Sequence, residues 1–252
     1  MRAFIAFSKK ELIESIRTYK LLIVFSVFLL FGMLNPITAK ITPEILKAFM
    51  PEGITITLPE PSSIDSWTQF YKNMSTQIIV FIIVFCGIVA NELSKGTLVN
   101  MITKGLSRKT VILSKFTSVF IVWTLSYMIC FAVTLGYTTY LLQGELQNII
   151  FSASCMWLYG VLLITVMLFG GVLFSNIYGS LLVTGGFSVL LMLINIIPKV
   201  QKYSPYRLTS DNLGLLTNKI SPSDLYIPIV ICLLIIVLMI ALTLIMFDKK
   251  KL

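Results

Sequence analysis

Histidine is absent from the 252 residues, which removes the commonest metal ligand and the easiest proton carrier near neutral pH. Cysteine is scarce. Cys86, Cys130, Cys155 and Cys232 all sit in apolar runs without C-x-x-C spacing. Isolated thiols of this kind pack as small apolar residues and indicate neither a disulfide framework nor a zinc site. Charge is scarce as well, at 12% of residues against 57% hydrophobic, with a mean hydropathy of +0.92. A soluble domain of this length needs more polar surface, so the class is integral membrane. Alternating segments of about ten residues, the mark of a transmembrane β-barrel, are also missing; the runs are continuous and about twenty or more long.

The interiors of these runs hold no Asp, Glu, Lys or Arg. A charge at the bilayer centre costs about 2.5–3.5 kcal/mol on insertion scales, so carriers keep one only for a purpose. That absence counts against a proton-coupled transporter, a charged-ring channel and a redox pump. G-x-S-x-G and H-E-x-x-H motifs and paired intramembrane aspartates are missing too, so no catalytic residue is assigned. Without a G-x-x-x-x-G-K-[ST] loop, any ATP that drives this protein, with its Mg, is bound by another chain.

What is present is an all-α integral membrane pattern of six transmembrane helices preceded by an amphipathic N-terminal interfacial helix. It forms a single transmembrane domain over 1–252. Residues 1–20 mix apolar and charged positions: Ile5, Leu12 and Ile16 share one helical stripe and Lys10, Glu14 and Arg17 another, with Phe7 and Lys9 blurring the separation. The spans are expected at about 21–39, 70–91, 116–142, 149–174, 177–197 and 226–247. Asn35-Pro36 marks the outer end of the first. The stretch from Lys40 to Ser66, with Pro43, Pro51, Pro59 and Pro61, reads as a polar connection with room for one short helix near Pro43–Phe49. Asp65 or Ser66 is expected to cap the second span, and Trp67, Phe70 and Tyr71 to form an aromatic belt at the headgroups. Ser107 is a candidate cap for the third. Residues 143–145 make a turn, Ser175-Asn176 a tight reversal, and 198–225 a second exposed connection.

Basic residues set the orientation. With the N-terminus inside, thirteen cations are cytoplasmic: Arg2, Lys9, Lys10, Arg17 and Lys20, five in the loop 91–116, and Lys249 to Lys251. Seven lie outside. A multi-pass protein of a bacterial plasma membrane with both termini cytoplasmic is expected. Polar residues within spans, such as Thr124, Ser126, Thr134, Thr165, Thr184 and Ser188, are expected to bond other helices or their own backbone. Gly170, Gly171, Gly179, Gly185 and Gly186 suit close packing of the fourth and fifth spans.

The densest information lies in NELSKGTLVNMITKGLSRKTVILSKF, residues 91–116, which carries Lys95, Lys104, Arg108, Lys109 and Lys115 against Glu92. Glu92-Leu93-Ser94-Lys95-Gly96-Thr97-Leu98 matches an E-x-x-x-G-T/S-L pattern, followed by Arg108 and Lys115 before the third span. On this motif and the six-span layout, the chain resembles the permease subunits of ABC-2 type ABC exporters. The resemblance implies a half-transporter that pairs with a second permease copy, as homodimer or with a paralogue, and with separate nucleotide-binding ATPase subunits. Residues 92–103 would be a coupling helix docking into the ATPase. Glu92, Gly96, Thr97, Leu98, Met101, Ile102, Lys104 and Arg108 are the docking residues, with Leu98, Met101 and Ile102 as apolar anchors. No cofactor or metal is expected on this chain, and no nucleic-acid partner. Uncharged spans suit an amphipathic or apolar cargo, such as a peptide antibiotic, peptide toxin or drug. A secondary carrier driven by an ion gradient, or a membrane scaffold or enzyme subunit, is the alternative.

Overall fold

The computed structural model describes residues 2–49, 60–103, 105–144 and 146–250, and of residues 99–101 the backbone alone. The chain is helical nearly throughout, and no strand occurs among the described residues. Helix α1 spans Arg2–Arg17, and a left-handed Tyr19 (φ 59°) turns it into α2, Lys20–Ala48. Next come α3 (Ser63–Phe85), α4 (Gly87–Ser94), α5 (Thr97–Thr103) and α6 (Arg108–Leu141). Helices α7 (Ile149–Phe174) and α8 (Ile177–Ile196) form an antiparallel pair. Three short helices follow, α9 (Pro198–Gln201), α10 (Arg207–Ser210) and α11 (Asn212–Leu216). A 3₁₀ turn over Pro222–Leu225 leads into α12, Tyr226–Lys249. Six of these segments, with α3 and α4 counted as one, are long and apolar enough to cross a membrane, so the chain is a multi-pass helical membrane protein.

The first expected span is too short. Helix α2 runs through Pro36 and Pro43 to Ala48, and absorbs most of the first half of the expected polar connection; residues 50–59 lie outside the described residues. Asn35 does not end the helix. It is buried and cross-links three spans: its amide donates to Thr134 Oγ1 of α6 (3.3 Å), and its Oδ1 accepts from Asn73 Nδ2 of α3 (2.8 Å). At α3 the cap is a capping box. Asp65 Oδ2 accepts the Ser62 N–H at 2.8 Å and the Ser62 hydroxyl at 2.9 Å. Ser66 instead points inward and shares a 2.6 Å hydrogen bond with Thr138.

Trp67, Phe70 and Tyr71 form no headgroup belt. They are buried, in ring contact with one another, with Phe131 and, through Phe70, with Tyr127 of α6. This knot continues along α3 and α6 through Trp123, Phe81 and Phe85. Helix α7 is enclosed over most of its length, and Gly160 admits the Trp123 ring, since a Cβ there would lie 2.0 Å from it. Of the glycines expected at the α7–α8 contact, Gly170 meets Ser180 and Val183 closely, whereas Gly185 and Gly186 face open space. The region 198–225, expected as an exposed connection, is exposed over 198–203 and 217–219 but packs as a cap between them. Leu208, Leu215, Leu216 and Leu225 are buried, Arg207 pairs with Asp211 at 2.6 Å, and Asn212 Oδ1 accepts from Ser152 of α7 at 3.2 Å.

The helices thread alternately, so the bundle has two distinct ends. At one lie α1, α4, α5, the start of α6 and the end of α12. At the other, Ser63 N–H donates to Gln143 O at 3.0 Å, and Asn148 reaches Asn218. Helix α6, at 34 residues, is about 51 Å long at 1.5 Å per residue. It exceeds the roughly 30 Å apolar core of a bilayer, so part of it must project beyond that core.

Candidate functional site

Ser107 starts α6 as expected, accepting the Thr110 N–H at 3.2 Å. Two turns further on, Lys115 is completely buried (0% exposed) at the meeting point of α1, α4 and α6. Its Nζ lies 2.9 Å from Glu11 Oε2 of α1 and 2.7 Å from Glu92 Oε2 of α4. Lys10 closes the cluster from the outside, at 3.0 Å from both Glu11 and Glu92 and 2.7 Å from Glu14. Hydroxyls on the same face of α6 lock α1 along its length: Ser114 donates to the Phe4 carbonyl at 3.3 Å and Ser118 to that of Ser8 at 3.2 Å.

Burial alone would lower the Lys10 ammonium pKa, but the carboxylates of Glu14, Glu11 and Glu92 outweigh it and hold it above its ordinary value. Burial likewise opposes ionisation of Glu14, yet its bond to Lys10 leaves the carboxyl below the usual range. Taking a lysine and two carboxylates out of water costs several kcal/mol per ion unless each meets a counter-charge, as each does here, although the Glu92 Oε2 contact with Lys115 is an ion pair without hydrogen-bond geometry. The outcome is a rigid joint linking the N-terminal helix, the second span and the third. Carboxylate oxygens of Glu11, Glu14 and Glu92 lie within 4.8 Å of one another, a spacing a divalent cation could bridge. The Lys10 and Lys115 ammonium groups already lie within contact of these oxygens and meet the charge a metal would.

The sequence-predicted docking residues divide. Glu92 belongs to the buried joint. Gly96 sits in a left-handed turn between α4 and α5 (φ 66°) with open space around it, a conformation that favours glycine. Thr97 is exposed and its hydroxyl donates to the Glu92 carbonyl at 3.3 Å. Leu98, expected as an anchor for a partner, is completely buried in the chain's own core, and Ile102 packs half-buried against it. The Met101 side chain and Lys104 lie outside the described residues. Arg108 is engaged internally: its guanidinium donates to the carbonyls of Phe247 (2.9 Å), Asp248 (2.8 Å) and Lys250 (2.7 Å). Carbonyls at a helix C-terminus lack helical partners, and a cation there satisfies them and the helix dipole. Lys250 repeats the device one helix over, donating to the Val172 carbonyl near the end of α7.

Sequence reasoning missed Lys10, Glu11 and Glu14 as members of the site, and Ser114 and Ser118 as its clamps. The available signal was the i,i+4 placement of Lys10 with Glu14 and the presence of two acids, Glu11 and Glu14, in a short and otherwise basic segment. Their partner 82 or 104 residues away could not be read from spacing.

One cleft adjoins the site and a second lies further along the bundle. A polar one of about 470 Å³ opens between α1 and α4, lined by Glu14, Thr18, Lys20, Asn91, Glu92 and Lys95. An uncharged one of about 350 Å³ lies between α3, α7 and α8, where Ile78, Ile82, Leu163 and Met192 surround the hydroxyls of Thr184 and of the Tyr159–Ser188 pair (3.2 Å). The fold and site define a helical multi-pass membrane protein whose N-terminal helix is bonded into its bundle by buried ion pairs. No protein-family model matches the chain, and a search of curated proteins returns no match.

Proposed function

We propose that this chain is the membrane-spanning permease subunit of an ATP-driven exporter of the ABC-2 type. The observation that carries the reading is the buried Glu11–Lys115–Glu92 joint. It ties the exposed tip Ser94–Thr97 to α1 and to the third span, so a push on that tip by a separate ATPase tilts spans instead of bending a loop. Docking is through the exposed tip and the rim of the polar cleft, with Lys95 and Thr97 in contact; Leu98 holds the element in place from behind. Helix α1 lies at the cytoplasmic membrane surface, and both termini are cytoplasmic. Cargo is amphipathic or apolar, a reading supported by the uncharged cleft beside α8. A second permease copy completes the path, and ATP and Mg belong to the partner.

The test uses the chain purified from its native membranes. An ATP-hydrolysing subunit should co-purify with the parent and be lost from Lys95→Glu/Thr97→Arg, while thermal unfolding of that variant in detergent stays unchanged. Absence of any ATPase from the parent sample overturns the reading. Transport that follows an ion gradient at constant ATP makes the chain a secondary carrier.

A further inference from the structure

Helix α1 turns Glu11 and Lys10 toward the bundle and leaves a mixed apolar and basic face outward. Phe7, Ser8, Glu11 and Ser15 are buried against α6 and the joint, while Ile5 (61%) and Ile16 (58%) are exposed, as is Ile13. At 3.6 residues per turn, Ile5, Ile16, Lys9, Arg2, Ile13 and Arg17 fall in one sector about 120° wide. That sector holds three isoleucines, Ala6 and three cations, and no acid; Glu11 and Glu14 lie on the opposite side. Among the described residues, Arg2, Lys9 and Arg17 form no ion pair, and all three are exposed. Two residues, Thr18 and the exposed Tyr19, separate α1 from the first membrane span, so this face cannot leave the neighbourhood of the bilayer.

We infer that the outward face of α1 is a binding surface for anionic phospholipid headgroups. The isoleucines sit at the boundary between headgroups and acyl chains, and Arg2, Lys9 and Arg17 run their apolar stems along the same face to reach phosphates above it. Interleaved cations without a single acid select an anionic surface over a zwitterionic one. The inverted pattern also explains why Lys9 falls amid the apolar stripe: the helix has no water-facing apolar side to segregate, because its polar half is occupied by Lys115 and Glu92. The inference rests on the placement of α1 at the membrane surface and is independent of what the protein transports.

The experiment uses the full chain with Cys86, Cys130, Cys155 and Cys232 replaced by Ala. A nitroxide at Ile13→Cys, in phosphatidylcholine nanodiscs, reads depth through collisions with oxygen and with a water-soluble nickel chelate. Separately, chain-labelled phosphatidylglycerol and phosphatidylcholine are compared for association with the unlabelled protein in vesicles. The nitroxide should be reachable by oxygen and shielded from nickel. Phosphatidylglycerol should be preferred by about fivefold or more, and Arg2→Gln/Lys9→Gln/Arg17→Gln should bring that ratio near unity. Lys199→Gln/Lys202→Gln/Lys219→Gln, at the other end of the bundle, should leave it in place. A nickel-accessible nitroxide sinks the placement of α1 and the inference with it. A shielded nitroxide with no lipid preference, or a preference that survives the α1 variant, keeps the placement and overturns the inference. Shielding that appears only after an ATPase is added makes the occupant a protein and overturns it too.

Discussion

The hydroxyl of Thr134 on α6 donates to the main-chain carbonyl of Gly32 on α2 at 3.1 Å. Gly32 is four residues before Pro36, and proline has no N–H to give that carbonyl. In lipid no water replaces the missing donor, so a neighbouring helix must. Gly32 lets α6 come close enough: a Cβ there would lie 3.0 Å from Val133 and 3.2 Å from the Cys130 carbonyl. Thr134→Val should therefore destabilise the bundle by about 1–3 kcal/mol, the cost of orphaning a buried polar group. In a Pro36→Ala background, where the helix supplies its own donor, the cost should shrink. It should not vanish, because Thr134 also accepts from Asn35. A double-mutant cycle by thermal unfolding in detergent reads the coupling, and equal costs in both backgrounds would reject the account.

Lys115 is the second case of a group defined by distant partners. Replacing it alone by Met removes the buried counter-charge and leaves the half-buried Lys10 as the one cation facing Glu11, Glu14 and Glu92, and should cost about 3 kcal/mol, the lower end for a broken buried pair. Replacing all three, as Lys115→Met/Glu11→Gln/Glu92→Gln, should recover most of that loss, since well-packed neutral groups often match a buried ion pair. Under the proposed function the triple variant folds yet couples poorly. ATP hydrolysis should persist while cargo movement falls. Full transport by a stable triple variant would show that the joint is scaffolding only.

Legibility in the sequence followed the physics of each signal. The six spans are written in long local runs, so their number is legible; the first three observed helices reach seven to nine residues beyond an end of the expected 21–39, 70–91 and 116–142. Asn35-Pro36 misled because the same two residues end a helix in water and continue one in a membrane, where Thr134 and Asn73 stand by. Trp67, Phe70 and Tyr71 misled because an aromatic cluster near a span end has the composition of a belt whether it faces lipid or α6. The stretch 91–116 was legible as special from its cations, but not which of them are free. Arg108 is held by the end of α12, 139 residues on, and Leu98 by the core; neither contact leaves a periodic mark.

The outer part of the joint has a pH signature. Lys10 carries a raised pKa, so its contribution is present below its ordinary 10.5 and is lost as pH climbs through the higher folded value. Glu14 carries a lowered one, so its contribution is present above its ordinary 4.5 and is lost as pH falls through the lower folded value. Between 4.5 and 10.5 this pair should hold α1 with no pH dependence, and outside that window α1 should loosen. A nitroxide at Ala6→Cys in the cysteine-free chain should keep one mobility across the plateau and gain mobility on acidification. Salt should weaken the partly exposed Lys10–Glu14 pair but scarcely touch the pairs of Lys115. A mobility step near neutral pH would contradict this reading.

Arg108 caps α12 from outside it, so its loss should act locally. Arg108→Gln returns three carbonyls at the helix end to water and removes the favourable charge at the negative pole. Hydrogen exchange of the last turn of α12 should accelerate several-fold, with α6 itself unchanged. The same variant should leave ATPase co-purification intact, because the guanidinium is committed within the chain. Loss of the ATPase with unaltered exchange at 244–250 would restore Arg108 to the docking rim.

Orientation is the prediction on which all the functional readings depend. The end of the bundle that gathers α1, the loop 91–107 and the last turn of α12 also gathers most of the cations, and positive ends stay on the cytoplasmic side. The opposite end carries Arg207, but Asp211 pairs with it at 2.6 Å, which reduces the apparent excess of charge there. In the cysteine-free chain, Ser94→Cys and Ser210→Cys sit at exposed positions at the two ends, and neither residue lies in the core. An impermeant maleimide should label Ser210→Cys on intact cells and Ser94→Cys only after permeabilisation. Labelling of both in sealed cells would mean a mixed population. Labelling of Ser94→Cys alone would invert the protein, leaving its ion-paired joint outside the cell and out of reach of any ATPase.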